Sequence, residues 1–215
     1  MLPWLGLLLV FAGSAQGSPI AIGDALQRSG DGISATWVAK SGDTPDNINE
    51  ALAALALGPS DPEFRAKVTQ TAPNIAFNDA TAPAEVGDSF AVLFDGFLNI
   101  TSAGSYQFDA VHDDGFRLTI GGHVVSQFDG NTAPRTTSAT VFLDEGLYDI
   151  QYLGWEQGGV FRQELAWTTP GSAGAEVVPQ SALFTQHHVP DAGAGSLTIA
   201  GLLGMVAASR RRRES

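Results

Sequence analysis

The residues with the clearest potential for chemistry are two adjacent aspartates, Asp113 and Asp114, which Gly115 follows directly. They fall between two segments of alternating hydrophobicity, and therefore in a loop that joins two strands. Adjacent carboxylates at a loop tip can ligate a hard cation such as calcium if the backbone turns both of them inward. Alternatively, an aspartate in such a loop caps a turn by accepting hydrogen bonds from backbone N–H groups. The residues alone leave both interpretations open.

Catalytic patterns are missing from the chain. It has neither a Gly-x-Ser-x-Gly nucleophile elbow nor a His-Glu-x-x-His pair. Asp144 and Glu145 are an acidic pair, but Gly146 follows them directly, which indicates a solvated hairpin turn. A glycosidase needs two carboxylates that face each other across a cleft. We therefore expect a protein that is not an enzyme.

The histidines are weaker candidates for metal ligation, and one sequon is a weak candidate for glycosylation. His112 and His123 flank one predicted hairpin, but two imidazoles without a third ligand make a weak metal site. His187-His188 lies in a predicted linker and is interpreted as a spacer. Asn99-Ile100-Thr101 matches a glycosylation sequon, which we attribute to chance because it falls on a predicted strand.

Composition excludes several classes of protein. The 215 residues contain no cysteine, which rules out disulfide scaffolds, thiolate zinc sites and cysteine nucleophiles. Acidic residues number 23 against 11 basic ones, and four of the basic residues are Arg210–Arg213 near the end of the chain. The remaining surface repels phosphate backbones and attracts cations, so we expect no nucleic-acid partner.

One short helix is predicted in front of the strand-rich part of the chain. Thr44 is placed as its N-cap and Pro45 at its first position. Ile48, Leu52 and Leu55 then fall on one face, and Gly58-Pro59 ends the helix.

Alternating hydrophobic residues predict strands before the helix and through most of the chain from Phe90 to Trp167. Ile33, Ala35 and Trp37 belong to the first strand. After a loop rich in proline and alanine, further strands run from Phe90 to Trp167, with a tight hairpin turn at Gly121-Gly122. Roughly seven or eight short strands predict an antiparallel sandwich or barrel.

Both ends of the chain have the character of targeting segments. Residues 1–17 form an apolar run that ends in small residues, which predicts a signal peptide removed by signal peptidase. Residues 18–31 are a polar leader. At the other end, a linker and a Val-Pro-Asp motif precede the uncharged residues 194–209 and Arg210–Arg213. The arginines hold that end on the cytoplasmic side of a membrane, and the apolar stretch is short for a bilayer span.

The segment 186–215 resembles the PEP-CTERM sorting signals of Gram-negative bacteria, in a Val-Pro-Asp variant with Ala192 and Gly193 where proline or serine is common. The resemblance implies processing by an exosortase, a membrane cysteine transpeptidase, in cells that make exopolysaccharide. It implies a surface or outer-envelope location in a Gram-negative bacterium after transient anchoring in the inner membrane. The alternative is a plain tail anchor.

Several segments between these ends resemble a protective-antigen (PA-14) domain. They are Asp88-Ser89-Phe90, Phe97-Leu98-Asn99-Ile100, Gly104-Ser105-Tyr106-Gln107-Phe108, His112-Asp113-Asp114-Gly115-Phe116 with the strand and glycine turn that follow, Leu143-Asp144-Glu145-Gly146, and Leu165-Ala166-Trp167. The resemblance covers about residues 30–185 and implies a β-sandwich, placed here at 32–185. The family occurs in toxins, in glycosidases as an insert, and in yeast adhesins that bind sugars through calcium.

This resemblance adds a site to the fold. In the adhesin branch the matching aspartate pair is joined by a cis peptide bond and holds calcium, so Asp113 and Asp114 become the metal candidates and calcium the cofactor. The loop from Trp155 to Gly159 could add Glu156 or Gln157 as further oxygen ligands. We assign Trp155, Glu156 and Gln157 to carbohydrate binding, since an aromatic face can stack on a sugar ring. Trp155 can equally belong to the core.

The sequence thus favours an exported carbohydrate-binding module, with a glycan or exopolysaccharide as its partner. The alternative is a structural or adhesive envelope or matrix protein without a sugar site. A third interpretation, an accessory module of an enzyme, is less favoured because the chain carries no catalytic domain beside it.

Overall fold

The computed structural model describes residues 30–185. The predicted signal peptide, most of the leader, His187-His188 and the sorting tail lie outside the described residues. Within residues 30–185, no helix is long and apolar enough to cross a membrane. The two ends of the described segment are joined, because Asp31 accepts hydrogen bonds from the N–H and hydroxyl of Thr185 at 2.8 and 3.0 Å.

The described segment consists of two antiparallel sheets and one α-helix. Its elements are β1 (Ile33–Lys40), α1 (Ile48–Leu55), β2 (Phe64–Ala72), β3 (Ala76–Asn78), β4 (Phe90–Ile100), β5 (Gly104–Asp113), β6 (Phe116–Ile120), β7 (His123–Phe128), β8 (Arg135–Leu143), β9 (Gly146–Glu156), β10 (Arg162–Thr168), β11 (Glu176–Val177) and β12 (Leu183–Phe184). The seven-stranded sheet has the order β2-β1-β4-β9-β6-β7, with β12 also paired to β4. The five-stranded sheet has the order β11-β10-β5-β8, with β3 also paired to β10. The predicted antiparallel sandwich is confirmed.

An aromatic core fills the space between the sheets. The Trp37 ring lies 5.2–5.9 Å, centroid to centroid, from the rings of Phe77, Phe90, Phe94 and Phe161, which come from both sheets. Such edge-to-face pairs add to the stabilisation that burial of the rings provides. With no disulfide, this core is what holds the two sheets together.

Two strands occupy the stretch that the sequence predicts as a loop. β2 pairs with β1 along the edge of the seven-stranded sheet, and β3 pairs with β10. The prediction is wrong there for a physical reason. β2 is an edge strand whose residues are mostly exposed or half-buried, so its hydrophobic alternation is weak.

The helix forms where predicted, but its cap and buried face differ. Asn47, rather than Thr44, is the N-cap, and its side-chain oxygen accepts the N–H of Glu50 at 3.1 Å. Glu50 in turn accepts the N–H of Asp46, the residue before the cap, at 2.9 Å and a side-chain N–H of Asn47 at 2.8 Å. The buried residues of α1 are Ile48, Ala51 and Ala54, whereas Leu52 is exposed. The face that packs on the sheet is therefore lined by Ile48 and two alanines, with Leu55 half-buried beside them.

α1 lies on the outer face of the seven-stranded sheet and covers Trp155. Ile48, Ala51 and Ala54 form a second apolar cluster with Ala91, Leu153 and Trp155. The Trp155 ring packs so closely on Gly115 that a Cβ there would overlap it, and would lie 2.7 Å from the carbonyl oxygen of Gly130. Glycine at position 115 is therefore required by the tryptophan that lies against the Asp-Asp-Gly loop.

A buried amide holds the same loop from the core side. Gln163 is fully buried, and its Nε2 donates to the carbonyl oxygens of Asp113 and Gly115 at 3.3 and 3.2 Å. Its Oε1 accepts the hydroxyl hydrogen of Tyr152 at 2.5 Å. The loop backbone is thus fixed through polar groups that have no access to water.

Both predicted turns are present. Gly121 and Gly122 have φ values of 57° and 77° and join β6 to β7, which is the geometry that favours glycine in a tight hairpin. Asp144 and Glu145 are exposed in the turn between β8 and β9.

Replacing Asn47 tests the position of the helix cap. Asn47→Ala removes the acceptor for a free N–H of the first turn, and we expect the free energy of unfolding to fall by about 1 kcal/mol. Thr44→Ala is the matched control and should change stability by less than about 0.5 kcal/mol. Urea unfolding followed by tryptophan fluorescence measures both. A larger loss for Thr44→Ala would show that the cap lies three residues earlier.

Replacing Gly115 tests the packing behind the loop. Gly115→Ala forces its methyl group against the Trp155 ring, and overpacking of this kind costs about 1–3 kcal/mol. Gly174→Ala is the control, because a Cβ there meets no atom within 4 Å. Thermal unfolding of the three proteins checks the prediction, which fails if the two alanine variants are equally stable.

Candidate functional site

Asp113 and Asp114 lie where β5 ends, and a cis peptide bond joins them. Both are buried, with 5% and 4% of their surfaces exposed. The two carboxylate oxygens of Asp114 accept the backbone N–H groups of Thr132 and Gln157 at 3.0 and 2.8 Å. Asp114 thus joins three loops, those that follow β5, β7 and β9. It accepts backbone hydrogen bonds as the capping interpretation predicts, and it does so beside other buried carboxylates.

Glu156 adds a third carboxylate at the same point. One carboxylate oxygen from each of Asp113, Asp114 and Glu156 lies within 4.8 Å of the others, and we call these three residues the acidic cluster. Glu156 is 2% exposed, and its Oε1 accepts the N–H of Gly158 at 2.7 Å. Its Oε2 is buried and has no hydrogen-bond partner. An unpartnered carboxylate oxygen in the interior is costly, so it marks a place for a ligand.

The electrostatics of the acidic cluster disfavour three bare negative charges. Burial, together with the smaller effect of the Asp114 and Asp79 carboxylates, raises the pKa of Asp113 to about 6. Burial likewise raises the pKa of Glu156 to about 8, against the opposing effect of the Gly158 N–H group. Burial also raises the pKa of Asp114, although the N–H groups of Gln157 and Thr132 favour its ionised form. A cation among the three would reverse these shifts.

The donor set fits calcium. The acidic cluster offers only carboxylate oxygens, which suit a hard cation, and no imidazole takes part among residues 30–185. The orphaned Glu156 Oε2 is the acceptor that a cation would satisfy. The arrangement could therefore bind a metal, and Asp113, Asp114 and Glu156 are the residues that would hold it.

A cleft of about 450 Å³ borders the aspartate pair. Besides Asp113 and Asp114, its walls include Asn131, Thr132, Gln157 and Val160. Gln157 is exposed there, in the loop where the sequence predicts it, and Val160 is 56% exposed. The cleft thus combines amide and hydroxyl groups with the apolar side chains of Ala133, Pro134 and Val160.

Trp155 does not offer a face to the cleft. Its side chain is fully buried, with α1 packed over it, and its indole N–H donates to Asn131 Oδ1 at 2.9 Å. The core alternative therefore holds for this residue, and stacking of a sugar on its ring is not available. Glu156 also differs from its assigned role, because it is buried beside the aspartate pair rather than displayed for contact with a sugar.

Asn131 is a site residue that the sequence reasoning missed. Its Nδ2 donates to Asp46 Oδ1 at 2.7 Å and to Gln157 Oε1 at 2.6 Å. With the bond from Trp155, it links the segment before α1 to the loops after β7 and β9. The short stretch Asp129-Gly130-Asn131 has turn character, but no feature of the sequence places it near Asp113.

The two candidate histidines are not brought together. His112 is fully buried at the end of β5, and its Nδ1 donates to the backbone carbonyl of Asp114 at 2.6 Å. Burial lowers its pKa, which keeps the ring neutral. His123 is exposed at the start of β7, at the far end of β6. The sequon residue Asn99 is buried in β4, which excludes an attached glycan in the folded protein.

Several solved structures share this fold. The PA14 domain of the MpAFP antifreeze protein superposes with a TM-score of 0.58 at 21% identity, over 72% of this chain and 92% of its own. The PA14 sugar-binding domain from an RTX adhesin gives a TM-score of 0.58 at 21% identity, over 72% of this chain and 98% of its own. The epithelial adhesin 6 A domain from Candida glabrata, in complex with Galβ1-3GlcNAc, gives a TM-score of 0.51 at 18% identity. That match covers 73% of this chain and 87% of the adhesin chain.

Identities this low establish the shared fold alone. No curated protein sequence matches the chain. The PA14 domain family, however, matches residues 49–181, which include all of α1 except its first residue, most of both sheets and the whole acidic cluster. The chain therefore belongs to the PA14 domain family.

Proposed function

We propose that this domain is a carbohydrate-binding module that depends on calcium. The observation that carries the proposal is the buried side chain of Glu156. One of its carboxylate oxygens lies within 4.8 Å of the aspartate pair that borders the cleft, and its Oε2 has no hydrogen-bond partner. Among the similar folds, one is a sugar-binding domain of an RTX adhesin and another is an adhesin domain in complex with a disaccharide. Their functions support the proposal without deciding it.

Asp113, Asp114 and Glu156 would hold the calcium ion. When bound, calcium supplies coordination positions that a pair of sugar hydroxyls can take. Asp114 is oriented by the N–H groups of Thr132 and Gln157, and Glu156 by that of Gly158. These bonds fix the carboxylates before any ligand arrives, which reduces the entropy lost on binding.

Side chains of the cleft walls would contact the sugar. The Gln157 and Asn131 amides hydrogen-bond each other at 2.6 Å and can donate to or accept from hydroxyl groups. Val160 offers apolar contact to the ring carbons. Trp155 acts at a distance from the sugar, because it fixes Asn131 and the Asp-Asp-Gly loop from behind.

We propose binding rather than catalysis. The carboxylates of the acidic cluster converge on one point, whereas a glycosidase needs two that face each other across the substrate. Asp144 and Glu145 lie in an exposed turn at the end of the sandwich opposite the aspartate pair. Neither pair has the arrangement that glycoside hydrolysis requires.

We also propose that the module acts outside the cytoplasm, on glycans or exopolysaccharide at the cell surface or in the matrix. Residues 1–17 and 186–215 support this from their sequence alone. Signal peptidase, exosortase and the membrane stay predicted partners, because those segments lie outside the described residues.

Calcium should stabilise the folded protein through the acidic cluster. At a calcium concentration one hundred times the dissociation constant, we expect a gain of about 2.7 kcal/mol in the free energy of unfolding. Glu156→Gln and Asp113→Asn should lose most of this gain. In chelator at neutral pH, Glu156→Gln should be about as stable as the unsubstituted protein, because the raised pKa of about 8 leaves the Glu156 side chain mostly protonated and glutamine has nearly the same shape.

Asp144→Asn is the matched control for this experiment, since Asp144 is an exposed acid far from the acidic cluster. It should keep the full calcium response in thermal unfolding. A Glu156→Gln protein that gains as much from calcium as the unsubstituted protein would remove Glu156 from the site.

Glycan binding should require both calcium and the cleft. On a glycan array, the domain should retain ligands in calcium and release them in chelator. Gln157→Ala should weaken retention about three- to tenfold, the range expected for a lost hydrogen bond, while the calcium-induced stabilisation persists. Gln107→Ala, an exposed glutamine of β5, is the control. Retention that is the same in chelator would contradict the proposed role of the ion.

A further inference from the structure

Two more carboxylates, outside the lining of the cleft, act electrostatically on the acidic cluster. Asp79 acts electrostatically on both Asp113 and Glu156, and its Oδ1 is oriented by the N–H of Phe161 at 3.0 Å. Asp46 acts on Asp114 in the same way, and its Oδ1 lies 2.7 Å from the Asn131 amide on the cleft wall. With the three residues of the acidic cluster, these carboxylates outnumber the two positive charges of one calcium ion. The cleft therefore keeps a negative potential when the ion is bound.

Basic side chains do not balance this potential. Arg135 follows the loop that forms one wall, but its guanidinium lies 4.7 Å over the ring of Phe128. Arg162 follows the loop that forms the other wall of the cleft, and its Nη2 forms an ion pair with Glu164 Oε2 at 3.0 Å. No lysine or arginine of residues 30–185 lines the cleft. An anionic sugar would meet carboxylates and neutral amides, with no cationic side chain to receive its charge.

We infer that the cleft selects glycans by charge: it accepts neutral sugars and amino sugars, and it rejects sugars that carry a carboxylate or a sulfate. This inference rests on the proposed calcium-dependent sugar binding and adds the class of glycan. The neutral groups of Asn131 and Gln157 suit hydroxyls, and the surrounding carboxylates favour a protonated amine. Repulsion of anionic polymers also follows from the net charge of −12 on the chain.

The test compares sugars that differ at one position only. Oligosaccharides of galactose, galactosamine and galacturonate with the same linkage and the same length are titrated into the domain in calcium, and matched gluco and manno series follow. In the series whose neutral member binds, we expect the anionic member to bind at least tenfold more weakly and the amino member at least as tightly. Raising the salt from about 0.05 to 0.5 M should narrow these differences, because it screens the charges.

A pair of variants separates the electrostatic field from the shape of the cleft. Asp46→Asn keeps an oxygen acceptor for Asn131 and removes one charge. The affinity for the anionic sugar relative to the neutral one should rise about twofold, which is the effect of one charge about 10 Å away in water. Asp144→Asn, at the opposite end of the sandwich, should leave that ratio unchanged.

Two outcomes would overturn the inference, and they are distinguishable. If neutral and anionic sugars bind equally, or if uronates bind more tightly because their carboxylates reach the ion, the charge selection is wrong and the sugar-binding function survives. If no sugar of any series binds in calcium, the proposed function fails and the selection fails with it.

Discussion

The cost of burying three neighbouring carboxylates is the constraint on which this structure depends. Asp113, Asp114 and Glu156 are each at most 5% exposed, and they lie within 4.8 Å of one another. Burial alone disfavours each charge, and each neighbour makes the next charge harder to hold. The pKa values of about 6 for Asp113 and about 8 for Glu156 record that cost in the metal-free protein. A fold keeps such an arrangement only where other interactions hold the groups in place.

Those interactions come from elements far apart in the chain. Gln163 holds the carbonyl groups of the Asp-Asp-Gly loop from the core, and Trp155 packs against its glycine from the outer face of the sheet. α1 covers Trp155, and its first N–H group donates to Asp129 Oδ1 at 2.7 Å in the loop after β7. The helix, which contributes nothing to the cleft itself, thus keeps two of the cleft loops in position.

The sequence predicts those parts of the site that depend on local order along the chain. Asp113 and Asp114 are neighbours, and the strands on either side place them in a loop. Whether the Trp155 side chain is buried or exposed depends instead on α1. This helix comes from a distant part of the chain and packs over the tryptophan on the outer face of the sheet. The link from Asn131 to Asp46 and Gln157 has no signature in the sequence, because each residue belongs to a different loop.

The errors in predicting the fold from the sequence have similar causes. Thr44 and Asn47 are both good capping residues, and the two hydrogen bonds between Asn47 and Glu50 decide between them. β2 exists because β1 offers it an edge to pair with, while its own residues carry little hydrophobic pattern. Pairing between distant segments supplies the stabilisation that local propensity does not predict.

A crystal structure of the domain grown with calcium tests the central claim most directly. The account predicts one ion, with a carboxylate oxygen of each of Asp113, Asp114 and Glu156 at about 2.3–2.6 Å from it. A structure in which Glu156 Oε2 is hydrogen-bonded to water or to protein, with no ion beside the aspartates at millimolar calcium, would contradict it.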